Sequence, residues 1–296
     1  MKVAPIAADS LGARSMCTLV ETRDCKVLID PSVRLGPWRY DLPPHPTEKE
    51  RERALWRDIK AAAKTADVLT VSHYHYDHHN PDAPSLYRKK HAYLKDGKRN
   101  TNRSQAGRAA HFLAEIRKYP ERIAVADGHE FEHGRTLLRF SKAVPHGLDT
   151  ELGCVVMLSV REGDRCIVHT SDVTGPPLAE HVAFILQEDP DVLICDGPLA
   201  YMIDQYGEKN VRRSEANLVR ILEGTRVKAL VLEHHLARAL DWKAVMPKVF
   251  TAAEAAGARV VNAAEFLGRK VEQLEARRYE LYGVSPGAPP LNSEEA

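Results

Sequence analysis

Between positions 71 and 81 the chain reads VSHYHYDHHNP, which packs His73, His75, Asp77, His78 and His79 into seven positions. Imidazole and carboxylate are ligand types that zinc accepts while keeping a position open for water. At the end of a strand, residues two apart point to the same side, so His73 and His75 can grip one ion as a pair. Asp77 and His78 are adjacent and must diverge, so one short loop can serve two neighbouring ions if other segments supply the missing ligands. A histidine with no such partners is ordinarily a surface or packing residue. Isolated ligand types do recur just past apolar runs: His146 after LLRFSKAV, Asp172 after RCIVHTS and His234 after KALVLE, with Asp30 closing KVLID. His235 doubles His234 as His79 doubles His78, which leaves the last ligand open between His234 and His235.

The elements that must position these residues are readable in outline. CTLVET and KVLID alternate as two strands joined near Asp24. After a proline-rich loop, Thr47 and Glu50 have the spacing of a capping box. Leu55, Ile59, Ala62 and Ala66 share a face behind them, which predicts a helix to about Thr65. DVLTVS then predicts a short buried strand, so the histidine-rich stretch occupies the loop at a strand's carboxyl end, where α/β folds commonly place chemistry. A basic run follows from Arg88 to Arg108, opposed only by Asp96, and is read either as a solvated loop or as an anion-binding flap over the histidine loop. A helix carrying Ala109, Phe112, Leu113 and Ile116 comes next. Then come the strand-like runs RIAVAD, TLLRFSKAV, CVVMLSV and RCIVHTS, and after them helices alternating with DVLICDG, KALVLEHH and RVVN. Meandering strands open each half and helices alternate later, which two sheets flanked by helices explain better than one parallel sheet. The fold class is α/β.

Bulk properties narrow the setting. Lys plus Arg total 42 against 41 for Asp plus Glu in 296 residues, a balance that fits neither a nucleic-acid coat protein nor a polybasic membrane binder. The five cysteines are scattered with no CxxC pair, which suits reduced thiols in a cytoplasm. The first residues lack the apolar core of a signal peptide, and no stretch approaches the ~20 apolar residues of a membrane span. The oligomeric state is not legible. A single domain is expected over residues 1–284, with a disordered tail over 285–296, where GVSPGAPPLNSEEA turns proline-rich and polar.

In order along the chain, Asp30, the H-x-H-x-D-H run from His73 to His78, His146, Asp172 and His234 resemble the five motifs of the metallo-β-lactamase superfamily. SLGARSM, HTSDVTGP, CDGP and EHHLAR look like an uncharacterised, mainly archaeal branch of it. The resemblance implies a four-layer αββα sandwich with the site at one edge of the two sheets. It also implies two divalent ions, zinc in the first instance with manganese or iron as alternatives. His73, His75 and His146 would hold one ion, Asp77, His78 and His234 the other, and Asp172 would bridge them. Asp30 and His79 would support the ligands from behind. Asp77 would orient the attacking hydroxide, and His235 would serve the leaving group as proton donor. Arg14, Ser15 and Arg238 are expected to face the substrate.

Three details sort the superfamily's activities. His75 stands where the oxygen-reducing diiron branch typically has Glu. Asp172 stands where zinc β-lactamases often use Cys. Only 61 residues separate Asp172 from His234, too few for the inserted domain of the related nucleases. These leave a binuclear metal-dependent hydrolase; because two ions can stabilise both oxygens of an in-line displacement and the basic run would suit a charged substrate, a small-molecule or nucleic-acid phosphodiester is the expected substrate. A thioester or lactone acyl hydrolase, or a non-catalytic metal-bound protein that contacts nucleic acid, are the alternatives.

Overall fold

Two sheets, each half meander and half parallel, carry the site along one edge of a computed structural model that describes residues 1–285. The expected tail lies outside the described residues apart from Ser285. In the first sheet β1 (Lys2–Pro5), β2 (Thr18–Glu21) and β3 (Lys26–Ile29) run antiparallel. From β3 the sheet continues in parallel through β4 (Val68–Val71), β5 (His91–Leu94) and β6 (Arg122–Val125).

The second sheet repeats the plan. β7 (Glu130–His133), β8 (Thr136–Phe140), β11 (Leu158–Glu162) and β12 (Arg165–His169) are antiparallel neighbours. β13 (Val192–Cys195), β14 (Ala229–Leu232) and β15 (Arg259–Val261) then extend β12 in parallel. Between β8 and β11, a two-stranded ribbon of β9 (Val144–Pro145) and β10 (Cys154–Val155) projects toward the site.

The layering follows from the alternation of side chains along each strand. Ile167, Ile194 and Val231 join a cluster shared with Val27, Leu28 and Ile29 of the first sheet. Their chain neighbours Cys166, Val168, Leu193, Cys195, Leu230 and Leu232 face the opposite way, onto helices Ala179–Glu188, Glu208–Gly224 and Pro247–Ala256. Against the first sheet, helix Pro46–Thr65 buries Leu55, Ile59 and Ala63, and helix Arg103–Ile116 buries Ala109, Phe112 and Ile116. Each large apolar chain so buried contributes about 2 kcal/mol. Among the described residues, no helix is long and apolar enough to cross a membrane.

Two local readings change. The first long helix is capped by His45, not Thr47, and Glu48 completes the capping box, because Pro46 takes the first helical position where its missing N–H costs nothing. The basic run from Arg88 to Arg108 is not a flap. It contains β5, hydrogen-bonded on both sides, and Lys95 is fully buried with its Nζ 2.8 Å from Asp127.

Candidate metal centre

The loop that follows β4 is held from behind by Asp30, the residue after β3. Its carboxylate accepts the Ser72 backbone N–H (2.8 Å), the Ser72 hydroxyl (2.6 Å) and His78 Nδ1–H (2.8 Å). His73 Nδ1 lies 3.0 Å from the same Ser72 hydroxyl. These bonds occupy the Nδ1 atoms and leave Nε2 of His73 and of His78 directed inward. His79 turns away: its Nδ1–H donates to the His75 carbonyl at 2.9 Å while its ring packs on Tyr74 and Phe112. Its Nε2, like those of His73 and His78, is buried without a hydrogen-bond partner.

The second sheet and the ribbon beside it bring their candidates from three separate strand ends. His146 follows β9, Asp172 lies three residues past β12, and His234 and His235 follow β14. Each of the last two is steadied by a carboxylate on Nδ1, His234 by Asp9 at 2.7 Å and His235 by Asp196 at 2.8 Å. Asp196 also accepts the backbone N–H of Thr174 and of Gly175, which ties the loop after β12 to the end of β13. Gly175 is needed here: its φ is +82°, and a Cβ would come within 2.3 Å of the Pro198 nitrogen.

All of these converge on Asp172. Its carboxylate lies 3.2 Å from His78 Nε2, 3.3 Å from His146 Nε2, 3.5 Å from His234 Nε2, 3.7 Å from His73 Nε2 and 3.8 Å from His235 Nε2. Ligand atoms of His73, His75, His146 and Asp172 gather within 4.8 Å of one another, as do those of Asp77, His78 and His234, and those of Asp172, His234 and His235. Nε2 of His73, His78 and His146 and Oδ1 of Asp172 are buried without a hydrogen-bond partner. Buried polar atoms are rarely left so, and divalent cations at the centre would satisfy all four. His234 differs, because its Nε2 lies 3.0 Å from Arg238 Nη2.

The electrostatics fit a cation as well. Burial, reinforced by the neighbouring imidazoles, pushes His73 well below its ordinary value and His75 down to about 3, so both present neutral nitrogen. Burial would raise Asp77, but the charges of His78 and His234 hold it at about 2. Burial disfavours charge on His78 and His234 too, yet Asp172 and the carboxylates behind them push both upward. The carboxylates thus favour positive charge at the centre.

A cavity of about 520 Å³ opens over this cluster, reached by His75, Asp77, His146, Asp172, His234 and His235 and rimmed by Arg14, Arg34, Arg108 and Arg238. Of the three expected substrate contacts, Arg14 lines it but is held bidentately by Glu275 at 2.6 Å. Arg238 lines it but is spent on Asp9 and the His234 ring. Ser15 does not face it: fully buried, its hydroxyl donates to the Ser32 carbonyl and accepts the Cys17 N–H. The sequence reading missed Asp9 and Asp196. Asp196 had a visible signal, since LICD ends a strand as VLID does at Asp30, whereas Asp9 lies in a stretch with no periodicity.

Comparison with known families matches residues 13–211 to the Beta-lactamase superfamily domain. A UPF0282 protein of Korarchaeum cryptofilum is 43% identical over 288 residues, covering 97% of this chain and 96% of its own. One from Metallosphaera sedula is 42% identical over 299 residues, covering 99% and 96%. Among solved structures, the metallo-beta-lactamase fold protein YhfI of Bacillus subtilis superposes with a TM-score of 0.53 at 16% identity, covering 88% of this chain and 94% of its own. The isothiocyanate hydrolase from Delia radicum gut bacteria gives 0.54 at 15% identity, covering 84% and 94%. These likenesses establish the fold.

Proposed function

The chain belongs to the beta-lactamase superfamily and, within it, to the UPF0282 proteins, and on that premise we propose that it is a binuclear metal-dependent hydrolase of phosphodiesters. The convergence of five imidazole Nε2 atoms within 3.8 Å of the Asp172 carboxylate carries the reading. His73, His75 and His146 would hold one divalent ion, Asp77, His78 and His234 the second, with Asp172 between. Zinc suits this nitrogen and carboxylate set, with manganese or iron as alternatives. When bound, such a pair lowers the pKa of water to about 7 and stabilises the attacking and leaving oxygens of an in-line displacement.

The chain's own residues do the positioning. Asp9, Asp30 and Asp196 hold imidazole Nδ1 protons and so aim Nε2 lone pairs at the centre. Asp77, on the cavity wall, orients the attacking water by accepting a hydrogen bond from it. His234 rather than His235 is assigned as ligand, because His234 Nε2 lies 3.4 Å from Asp77 and gathers with His78. His235 is then left to serve the leaving oxygen as proton donor, for which its Nε2 must first take up a proton, since Asp196 holds the one on Nδ1. Its removal should slow esters with poor leaving groups more than p-nitrophenyl esters, and an equal loss on both would sink that role.

Arg108 at the cavity rim favours an anionic substrate. A second reading has its own observation: Leu35, Leu152, Leu199 and Met202 line the same cavity, which would suit the acyl chain of a thioester or lactone. Turnover of bis(p-nitrophenyl) phosphate against thioester and lactone panels, after loading with zinc, manganese or iron, separates the two. Efficient acyl hydrolysis with no phosphodiester turnover reverses the ranking. Metal content measured on His73→Ala and Asp172→Ala tests the centre independently, and wild-type content in both would refute it.

A further inference from the structure

Two cavities meet at Tyr76 and Arg108. Beyond the one over the ligand cluster lies a second of about 690 Å³, lined by Tyr76, Arg103, Ser104, Gly107, Arg108 and His111 along helix Arg103–Ile116. The ridge between them is the Tyr76 ring, 41% exposed. This exposed aromatic is held in place: its carbonyl accepts the Ser32 hydroxyl, and its ring stacks on His79 at 5.3 Å. The Arg108 guanidinium lies 4.8 Å from the ring centroid.

The four arginines of the first cavity are not equivalent. Arg14 is paired with Glu275, Arg238 with Asp9, and Arg34 lies 3.9 Å from Asp82. Arg108 has no carboxylate partner among the described residues; its only hydrogen bond is a 3.4 Å contact from Nη1 to the Tyr74 carbonyl. A half-buried guanidinium without a counter-charge, set against an exposed aromatic ring, fits a phosphate beside a stacked base. Exposed Arg103 extends positive potential along the helix, exposed His111 adds a ring on the far side of Arg108, and Gly107 leaves the floor between them without a side chain.

Resting on the phosphodiester reading of the centre, we propose that the substrate is a single-stranded oligonucleotide. Its scissile phosphate lies over the ligand cluster, the next base stacks on Tyr76, the following phosphate meets Arg108, and the strand continues across Arg103 and His111. A mononucleotide ester would end at the ridge and leave the second cavity unused.

The test compares fluorescein-labelled hexauridylate, thymidine 5′-(p-nitrophenyl phosphate) and bis(p-nitrophenyl) phosphate on the metal-loaded protein. Tyr76→Ala and Arg108→Gln should raise KM for the hexamer about tenfold or more, the scale of losing one stacked base. The ratio of hexamer to bis(p-nitrophenyl) phosphate kcat/KM should fall accordingly. Arg103→Glu, at an exposed helix position that cannot endanger folding, should lower hexamer affinity and its dependence on log salt by about 0.7 or more. Equal losses on long and short substrates, an unmoved hexamer KM, or a thymidine ester as good as the hexamer in wild type would each overturn the proposal. Anisotropy with a phosphorothioate hexamer needs no turnover. Wild-type binding in Arg108→Gln and Arg103→Glu overturns the strand-binding proposal whatever the centre hydrolyses, whereas binding lost in both variants without any phosphodiester turnover overturns the hydrolase reading and leaves strand binding along the second cavity standing.

Discussion

In the first sheet the ligand candidates sit together: one loop after β4 carries His73, His75, Asp77 and His78. In the second sheet and its ribbon they are dispersed over the ends of β9, β12 and β14 as His146, Asp172 and His234. The halves also differ in backbone cost. Asp30 (φ 48°) is the one left-handed non-glycine residue at the site on the first side, while Ser171 (φ 55°), Thr174 (φ 61°) and His234 (φ 47°) are left-handed on the second. Such a residue costs about 1–2 kcal/mol and persists only where its surroundings over-determine it. The surroundings here are buried carboxylates: Asp9 on His234, and Asp196 on Thr174, Gly175 and His235. A compact loop can place ligands by its own sequence spacing, whereas dispersed ligands need strained strand ends and distant braces.

Asp172 is where the halves meet, so its loss should be largest. Asp172→Asn keeps the shape and removes the charge that five imidazoles face. We expect activity to fall about a thousandfold or more and bound metal to drop toward zero, read by steady-state kinetics and elemental analysis. If the variant keeps its metal, the two halves hold their ions independently and the bridge is wrong.

Next in size is a pair of brace removals. Asp30→Ala frees His78 and the Ser72 N–H and hydroxyl together, so metal affinity should fall about 10- to 100-fold. Asp196→Ala frees His235, which stands outside the proposed ligand set, so metal affinity should fall less while the rate still drops. Chelator competition on both variants measures this. An equal loss of affinity that His235→Ala reproduces would make His235 a ligand and reopen its choice against His234, whereas a loss particular to Asp196→Ala traces to the Thr174 and Gly175 N–H groups that Asp196 also holds beside Asp172.

The same contrast explains what the sequence made legible. The histidine loop announces itself because its ligands are two and three residues apart at a strand end. His146, Asp172 and His234 are single residues, recognisable only by their order along the chain. The mistaken cap arose because histidine is seldom counted as a capping residue, although Pro46 at the first helical position pointed to His45. The basic run concealed β5, since HAYL is only four residues long and the burial of Lys95 depends on Asp127, a partner 32 positions away. Asp9 reaches His234 across 225 positions, and nothing local in the sequence signals that contact.

The smallest effect concerns how each half is braced against acid. The histidine loop is supported by Gln105, whose side-chain oxygen accepts the Tyr74 N–H at 3.1 Å and does not titrate. The ribbon that carries His146 leans instead on His181, which is buried and donates Nε2–H to the Pro145 carbonyl at 3.1 Å. Burial pushes His181 down to about 4; the Pro145 carbonyl works the other way and His146 adds to the lowering. Its folded value therefore lies below its unfolded value of 6.5. The stability this neutral imidazole contributes is complete above pH 6.5 and is lost as pH falls through about 4, in all of order 2–3 kcal/mol. His181→Gln keeps a donor to Pro145 and removes the titration. In urea unfolding at pH 7.5 and pH 5 the variant should lose less stability on acidification than the wild type. Parallel losses would mean that the ribbon is no more acid-sensitive than the loop, and that the two halves differ in where their ligands lie but not in how they are held.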